Sequence, residues 1–238
     1  MKRRPQWLPA EEGGSAPPPG DAEAVLQIKV WLIGISPMVW RRVLVPAAFT
    51  LRELHGVIQV AMGWEGFHLF QFCLRAVRYG SSELSAPSPD VTLAALRLRK
   101  GARFIYEYDL NIPWRHEVRI EDRLAPEAGK TYPICAAGDG ACPPEDCGGP
   151  DAFVAHRDDI LSLDSRDDLA AMAAIIGDIT RERRLEILDD AEVRWRLERA
   201  IERSQARERA PGNAFSRRTV NARLGEGAHR ELMHQQSW

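Results

Sequence analysis

The sequence predicts an α+β fold in which an antiparallel sheet of about five strands packs against one helix, with further helices added outside at the C-terminal end. Two observations favour this class. Before residue 122, apolar and polar residues alternate within the most apolar segments, and this period of two residues is typical of a half-buried strand. Beyond residue 150 the apolar residues recur instead at helical spacing. The sheet is therefore expected to come first in the chain.

Five segments carry the strand pattern. In the first, which begins near Ala24, Leu26 and Ile28 belong to an apolar series that alternates with more polar residues. Residues 38–45 are rich in β-branched and aromatic side chains and follow a turn, so they are predicted as its hairpin partner. The other strands are predicted in residues 67–75, 104–110 and 114–121. In the last of these the charged odd-numbered residues face water, so His116 faces inward.

One helix is predicted between the second and third strands. Thr50 and Glu53 form a capping box at its start, and Gly63 is placed to end it. His55 borders the apolar stripe of this helix. Residues 167–176 and 186–207 predict two further helices, the second with charged residues one turn apart. The C-terminal third of the chain is therefore expected to be helical.

Composition and patterning predict three units: a flexible leader in residues 1–23, an α+β domain in residues 24–160 and a helical extension in residues 161–238. The formal net charge of -2 provides no overall field for capturing nucleic acid. No apolar run is long enough to cross a bilayer, and the N-terminal residues lack the apolar core of a secretory signal. We therefore expect a cytoplasmic protein without a membrane partner.

Three of the four cysteines lie in residues 134–150, where glycine and proline predict a loop. Clustered thiolates in a cytoplasmic protein favour a metal site over a disulfide framework. Cys135, Cys142 and Cys147 would need one more donor for tetrahedral zinc, and His116 is the preferred fourth ligand. Two alternatives remain open: small buried thiols in a glycine-proline turn, and a disulfide between Cys142 and Cys147.

Two acidic residues and a set of histidines are further candidates. Glu145 and Asp146, between the thiols, can act as general acid or base, although capping of a turn or helix is the favoured interpretation. His55, His68 and His116 can converge on a separate metal centre, but each alone is typical of a hydrogen-bonded core histidine. No His-x-Glu or His-Glu-x-x-His spacing supports the histidine centre.

Aromatic and basic residues lie together at two places in the predicted sheet. Trp40 is followed by Arg41 and Arg42, and Trp64 is a second tryptophan that can act together with Arg75 and Arg78 at the end of the third predicted strand. Such residues can stack on bases and contact phosphates of a nucleic acid. The alternative is a strand with solvated arginines and a core tryptophan.

Seven short phrases of the sequence carry a family resemblance. They are Trp-Arg-Arg at 40–42, Thr-Leu-Arg-Glu-Leu-His at 50–55, Ile-Gln-Val-Ala-Met-Gly-Trp at 58–64, His-Leu-Phe-Gln-Phe at 68–72, Tyr-Glu-Tyr-Asp at 106–109, Trp-Arg-His at 114–116, and Cys-Pro-Pro-Glu-Asp-Cys-Gly-Gly at 142–149. Together they make the chain resemble the plasmid pRiA4b ORF-3-like family, which adds Trp114 to the candidate residues. The resemblance covers residues 24–160, residues 214–224 look like the family's closing segment, and residues 178–213 look like an insertion.

The resemblance implies a compact α+β domain carried on plasmids, on mobile elements as a passenger, and on chromosomes, without an established activity. The chain departs from the family pattern at two places. Residues 110–113 replace a segment that contains glycine and an acidic residue, and Phe70 stands where a second histidine is expected. Both replacements remove potential metal or substrate ligands.

The leading hypothesis is therefore a non-enzymatic binding or accessory module that acts through protein or nucleic-acid contacts and contains a structural cysteine segment, with zinc as its candidate cofactor. The alternative is a metal-dependent hydrolase or nuclease that uses the cysteine and histidine groups, with Glu145 or Asp146 as base. No phosphate-binding glycine loop or serine nucleophile elbow occurs in the sequence. Nucleotide hydrolysis and serine esterase chemistry therefore have no support.

Overall fold

The computed structural model describes residues 23–81, 84, 86–160, 163–181, 183, 185–209, 212 and 214–234. All but the last residue of the predicted leader lie outside these ranges. The described residues form an α+β fold with an antiparallel sheet, as expected, but this sheet has seven strands rather than about five. The described part of the chain also contains six α-helices, of which more than one packs near the sheet.

The seven strands form one antiparallel sheet in the order β4-β3-β5-β6-β1-β2-β7. They are β1 (Val25–Leu32), β2 (Trp40–Pro46), β3 (Phe70–Leu74), β4 (Val77–Gly80), β5 (Arg103–Tyr108), β6 (Trp114–Leu124) and β7 (Ile134–Asp139). Alternate side chains are buried, with Leu26 and His116 among them, whereas the intervening residues are half-buried or exposed. One face of the sheet therefore forms the core, and among the described residues the opposite face is the more exposed one, called the open face below.

Strand β7 corrects the prediction of a loop in residues 134–150, because Cys135 lies on a strand. It pairs with β2 along one edge of the sheet. A Cβ atom at Gly138 would lie 2.8 Å from both Arg41 Cδ and Phe215 Cζ. This glycine therefore allows the Arg41 and Phe215 side chains to approach the backbone of β7 closely, and it does not mark a loop.

Helix α1 (Leu51–Met62) follows the predicted boundaries closely. The Thr50 side chain accepts a hydrogen bond from Glu53 N, the Glu53 carboxylate accepts from Thr50 N, and Gly63 ends the helix at φ 88°. Ten of its twelve residues are buried, too many for one helical face. The second covered side of α1 is supplied by helices near the C-terminal end of the chain.

Five helices follow the sheet: α2 (Gly149–Ile160), α3 (Leu163–Arg181), α4 (Ala191–Arg209), α5 (Arg217–Gly225) and α6 (Ala228–Leu232). Helices α2, α3 and α4 contact one another, and the carboxylate of Asp168 accepts hydrogen bonds of 2.5 and 2.8 Å from Arg203. Helices α5 and α6 pack on α1 and contribute Leu224 and Leu232 to the core, so they are not merely added outside it. None of the described helices combines the length and apolar character needed to span a bilayer.

Candidate functional site

A cleft of about 250 Å³ opens beside the end of β5 and the start of α2. Its polar lining contains His68, Asp109, Asn111, Glu145 and Asp146. His68, Glu145 and Asp146 are sequence-predicted candidates, and the fold brings them together although they lie nearly 80 residues apart in the chain. The cysteines that flank the two acidic residues do not line the cleft.

His68 stands between two carboxylates. Its Nε2 atom lies 3.1 Å from Asp146 Oδ1, and its Nδ1 atom lies 3.9 Å from Asp109 Oδ1. The ring meets Tyr108 edge to face at a centroid distance of 5.5 Å, and His68 N donates to the Tyr108 hydroxyl. The Asp146 side chain is 80% exposed, so this side of the pair remains open to a ligand.

Glu145 joins three parts of the chain. The Tyr108 hydroxyl donates to Glu145 Oε1, and Glu65 N donates to Glu145 Oε2 at 2.7 Å. The pKa of Tyr108 is raised well above its usual range, mainly by burial and secondly by the hydrogen bond to this carboxylate. Each carboxylate oxygen therefore already accepts one hydrogen bond from the protein, and a role of Glu145 as general acid, general base or cap stays a prediction.

Asp109 belongs to the cleft but was not among the candidates from sequence. It has a left-handed backbone at φ 58°, and its Oδ1 atom accepts hydrogen bonds from Asn111 N and Ile112 N. This turn at the end of β5 places Asn111 and Ile112 on the cleft lining. An aspartate at a strand end, before asparagine and proline, is the sequence signal that indicates such a turn.

Two buried tryptophans hold the backbone behind the cleft. Trp114 Nε1 donates to Glu145 O at 3.2 Å, and Trp64 Nε1 donates to Pro143 O at 2.8 Å. Both indole rings are among the largest buried side chains of the described residues. The predicted candidate Trp114 thus positions the segment that carries Glu145 instead of facing a ligand.

The four cysteines are free thiols. Cys142 is buried, and burial raises the pKa of its thiol to about 12, so the thiol is neutral near pH 7. Burial also raises the pKa values of the Cys135 and Cys147 thiols. Because zinc binds thiolates, its binding here would displace the protons of these thiols.

His116 faces inward as predicted and is fully buried. Its Nδ1 atom is 3.0 Å from Trp114 O, so this nitrogen carries the proton, and burial lowers the pKa of the ring to about 3. In the part of the chain that the structure describes, no three histidine, cysteine, aspartate or glutamate side chains are arranged to hold a metal ion. A zinc site at His116 and the three cysteines therefore stays a prediction.

The three candidate histidines occupy different environments. His55 is buried on α1, its Nδ1 atom is 2.7 Å from the Tyr106 hydroxyl, and its ring stacks on Phe70 at 3.8 Å. His116 contacts the same tyrosine ring at 5.1 Å, whereas His68 faces the cleft. Two histidines thus belong to the core and one to the surface, and the predicted three-histidine metal centre is not assembled among the described residues.

Arg41 and Arg42 lie on opposite faces of β2, which corrects the prediction that both contact nucleic acid. Arg41 is 1% exposed, and its guanidinium donates to four backbone carbonyls, including Ala61 O at 2.8 Å. It is therefore out of reach of a phosphate. Arg42 is half-buried on the open face and forms an ion pair with Glu121 at 2.5 Å.

Comparison with known proteins agrees with the family resemblance. The family model described as plasmid pRiA4b ORF-3-like protein matches residues 24–181, which is more than half of the chain. The chain belongs to this family. All residues that line the cleft fall within the matched range, whereas α4 lies outside it. The cleft is therefore part of the family's domain.

Two relatives support the same assignment. The chain is 40% identical over 133 residues to the uncharacterised protein y4hQ of Sinorhizobium fredii, a match that covers 53% of this chain and 68% of the relative. It is also similar to the crystal structure of MM3350, a protein of unknown function from Methanosarcina mazei, with 31% identity and a TM-score of 0.54. That match covers 59% of this chain and 83% of the other.

Proposed function

We propose that the chain is a non-enzymatic binding module whose cleft takes a cationic group, the ammonium or guanidinium of a partner protein. The observation that carries this proposal is the charge of the lining: Asp109, Glu145 and Asp146 are acidic, and no lysine or arginine lines the described cleft. A small cavity lined by one sign of charge concentrates ligands of the opposite sign. The same charge disfavours phosphate groups.

The rim of the cleft suits the stem of a long basic side chain. Ile112 lines the cleft and is 46% exposed, and Phe67, next to His68 in the chain, is 65% exposed. Lysine and arginine bury their methylene stems against apolar surface while the charged head remains among polar groups. The apolar rim and the acidic floor together therefore favour a basic residue of a protein over a small inorganic cation.

The arrangement of the carboxylates supports binding more than catalysis. Both oxygens of Glu145 and Oδ1 of Asp109 already accept hydrogen bonds from the protein. In residues 110–113, where the chain departs from the family pattern, an amide and an apolar side chain line the cleft. The groups are therefore held in place to receive a charge.

We expect Asp146→Asn to weaken the binding of N-acetylarginine methylamide about fivefold, because it removes the most exposed carboxylate of the cleft. The binding is followed by nuclear magnetic resonance through the ring signals of His68. The matched control is Asp158→Asn, which removes an exposed carboxylate on α2 outside the cleft. Equal losses in the two variants, or no saturable shift in the wild-type protein, would contradict the proposal.

A metal-dependent hydrolase is the second candidate, and the specific observation that favours it is the pairing of His68 with Asp146 on an open cleft. Imidazole and carboxylate are common ligands of catalytic zinc and manganese. Titration with Mn²⁺ alone and with Zn²⁺ alone distinguishes the candidates. Metal-dependent hydrolysis of a phosphodiester by the wild-type protein, lost in Asp146→Asn, would replace the binding proposal with the enzymatic one.

A structural zinc at Cys135, Cys142, Cys147 and His116 is a separate proposal. The observation that supports it is that Cys135, Cys142 and Cys147 are free thiols rather than members of a disulfide. We expect protein purified without added metal to contain about one zinc per chain. This zinc should be lost in Cys142→Ser and in Cys147→Ser. Elemental analysis measures the content, and Cys73→Ser is the control, since Cys73 lies on β3 away from this segment. A metal-free, folded wild-type protein would end this proposal.

A further inference from the structure

The open face of the sheet carries a row of four basic side chains on four adjacent strands. The row runs through Arg42 on β2, Lys29 on β1, Arg119 on β6 and Arg103 on β5. Each is the direct register partner of the next: Arg42 of Lys29, Lys29 of Arg119, and Arg119 of Arg103. Because neighbouring strands lie about 4.8 Å apart, the row spans roughly 14 Å. We call these four residues the basic row.

The alternation of the strands places the basic row on the side away from the core. Ile28 and Val30, on either side of Lys29, are fully buried, and so are Val118 and Ile120 on either side of Arg119. Successive side chains of a strand point to opposite faces. Arg103 and Arg119 are exposed, whereas Lys29 and Arg42 are half-buried.

Such a row costs stability, because like charges directly opposite each other on neighbouring strands repel. At the two ends of the row, ion pairs balance the positive charge: Arg42 pairs with Glu121 at 2.5 Å, and Arg103 pairs with Glu117 at 3.0 Å. The two central residues, Lys29 and Arg119, form no ion pair with a described carboxylate. Glu117 and Glu121 flank Arg119 on the same face, and Lys29 also acts electrostatically on Glu121, but the two central cations keep no ion pair of their own among the described residues, so an anionic partner would relieve the repulsion.

A pair of tryptophans borders the basic row. Trp31 and Trp40 are register partners on β1 and β2, and both are half-buried. Lys29 Nζ lies 4.7 Å from the centroid of Trp40 and 5.8 Å from that of Trp31, and Arg42 Cζ lies 5.4 Å from the Trp40 centroid. The half-buried indole rings thus lie directly beside the cations.

We propose that this face binds single-stranded nucleic acid, with phosphates along the basic row and an unpaired base against Trp31 or Trp40. Basic residues that follow the backbone and aromatic rings that stack on bases are the two components of such sites. A duplex hides its base faces, and an acidic peptide has no bases to stack. The face lies apart from the acidic cleft, none of whose lining residues belongs to it.

We expect the wild-type protein to bind a fluorescent oligothymidylate of about twelve nucleotides at low salt and more weakly as the salt concentration rises. The double variant Lys29→Gln/Arg119→Gln should bind at least about tenfold more weakly, and the slope of log affinity against log salt should fall by about 1.4, or 0.7 for each lost phosphate contact. Fluorescence anisotropy at several salt concentrations measures both quantities. The matched control is Lys130→Gln/Arg218→Gln, which removes two exposed cations outside the face.

The aromatic part of the site is tested by Trp40→Leu. We expect about tenfold weaker binding with an unchanged salt slope, because stacking is not electrostatic. Asp146→Asn should leave oligonucleotide binding unchanged, so this proposal and the proposed cleft function can fail separately. No binding at low salt, an equal loss in the control variant, or equally strong competition by poly-glutamate would each overturn the assignment to single-stranded nucleic acid. Circular dichroism confirms that each variant is folded.

Discussion

Replacing Gly56 by alanine is expected to lower the free energy of unfolding by about 3 kcal/mol or more, although alanine is the better helix former. Gly56 lies in the middle of α1, at the contact with α6. A Cβ atom there would lie 2.0 Å from His229 O and 3.2 Å from Met233 Cβ. The backbone of α6 has to retreat, which separates it from the core. Urea unfolding followed by circular dichroism measures the loss.

The matched control is Gly177→Ala in α3, where an added Cβ meets nothing within 4 Å. This substitution is expected to stabilise the protein by up to about 1 kcal/mol, the intrinsic helix preference of alanine over glycine. In a chain that ends at Gly227, and therefore lacks α6, Gly56→Ala should cost much less than in the full chain. An equal cost in both chains would show that α6 does not dock against α1 at this glycine.

Local features of the sequence predicted their elements well. The capping box of Thr50 and Glu53 involves residues three positions apart, so its hydrogen bonds depend on little beyond the helix itself. The alternation that places His116 inward is equally local, because it follows from the pleat of a single strand. Neither feature required knowledge of what packs against it.

The two additional strands depend on contacts that the local pattern does not contain. Strand β4 follows a two-residue turn in which Arg75 and Ala76 have positive φ angles of 47° and 69°, where hairpins usually have asparagine or glycine. Strand β7 forms by pairing with β2, although most of the other strands lie between these two in the sequence. Its small residues fit beneath Arg41 and Phe215, a fit that only the folded structure reveals.

The candidate site was predicted in part. His68 and Asp146 were selected by residue type, but their contact joins positions 78 residues apart and depends on the complete sheet. Asp109 lies in one of the family phrases but was not selected, because its role in the cleft follows from the left-handed backbone conformation at the end of β5. For Arg41 a signal was present: it shares its strand face with Val43 and Val45, so alternation alone indicates a buried position.

Arg41→Met is expected to lower the free energy of unfolding by about 3–5 kcal/mol, the second large effect, because it strips buried carbonyl groups of their donors. The Arg41 guanidinium reaches Trp40 O and Asp139 O at 2.8 Å each, besides Ala61 O at the end of α1 and Gly140 O. It thus ties the last turn of α1 to β2 and to the end of β7. Methionine restores much of the volume but none of these hydrogen bonds.

The neighbouring residue is the natural control for this prediction. Arg42→Gln removes a surface ion pair with Glu121, and such pairs contribute only about 0–1 kcal/mol, so its effect on unfolding should be small. The two variants should behave oppositely in the oligonucleotide titration: Arg42→Gln weakens binding, whereas Arg41→Met leaves binding by the remaining folded protein unchanged. A mild effect of Arg41→Met on stability, together with a loss of binding, would place Arg41 on the nucleic-acid face and contradict its position in the core.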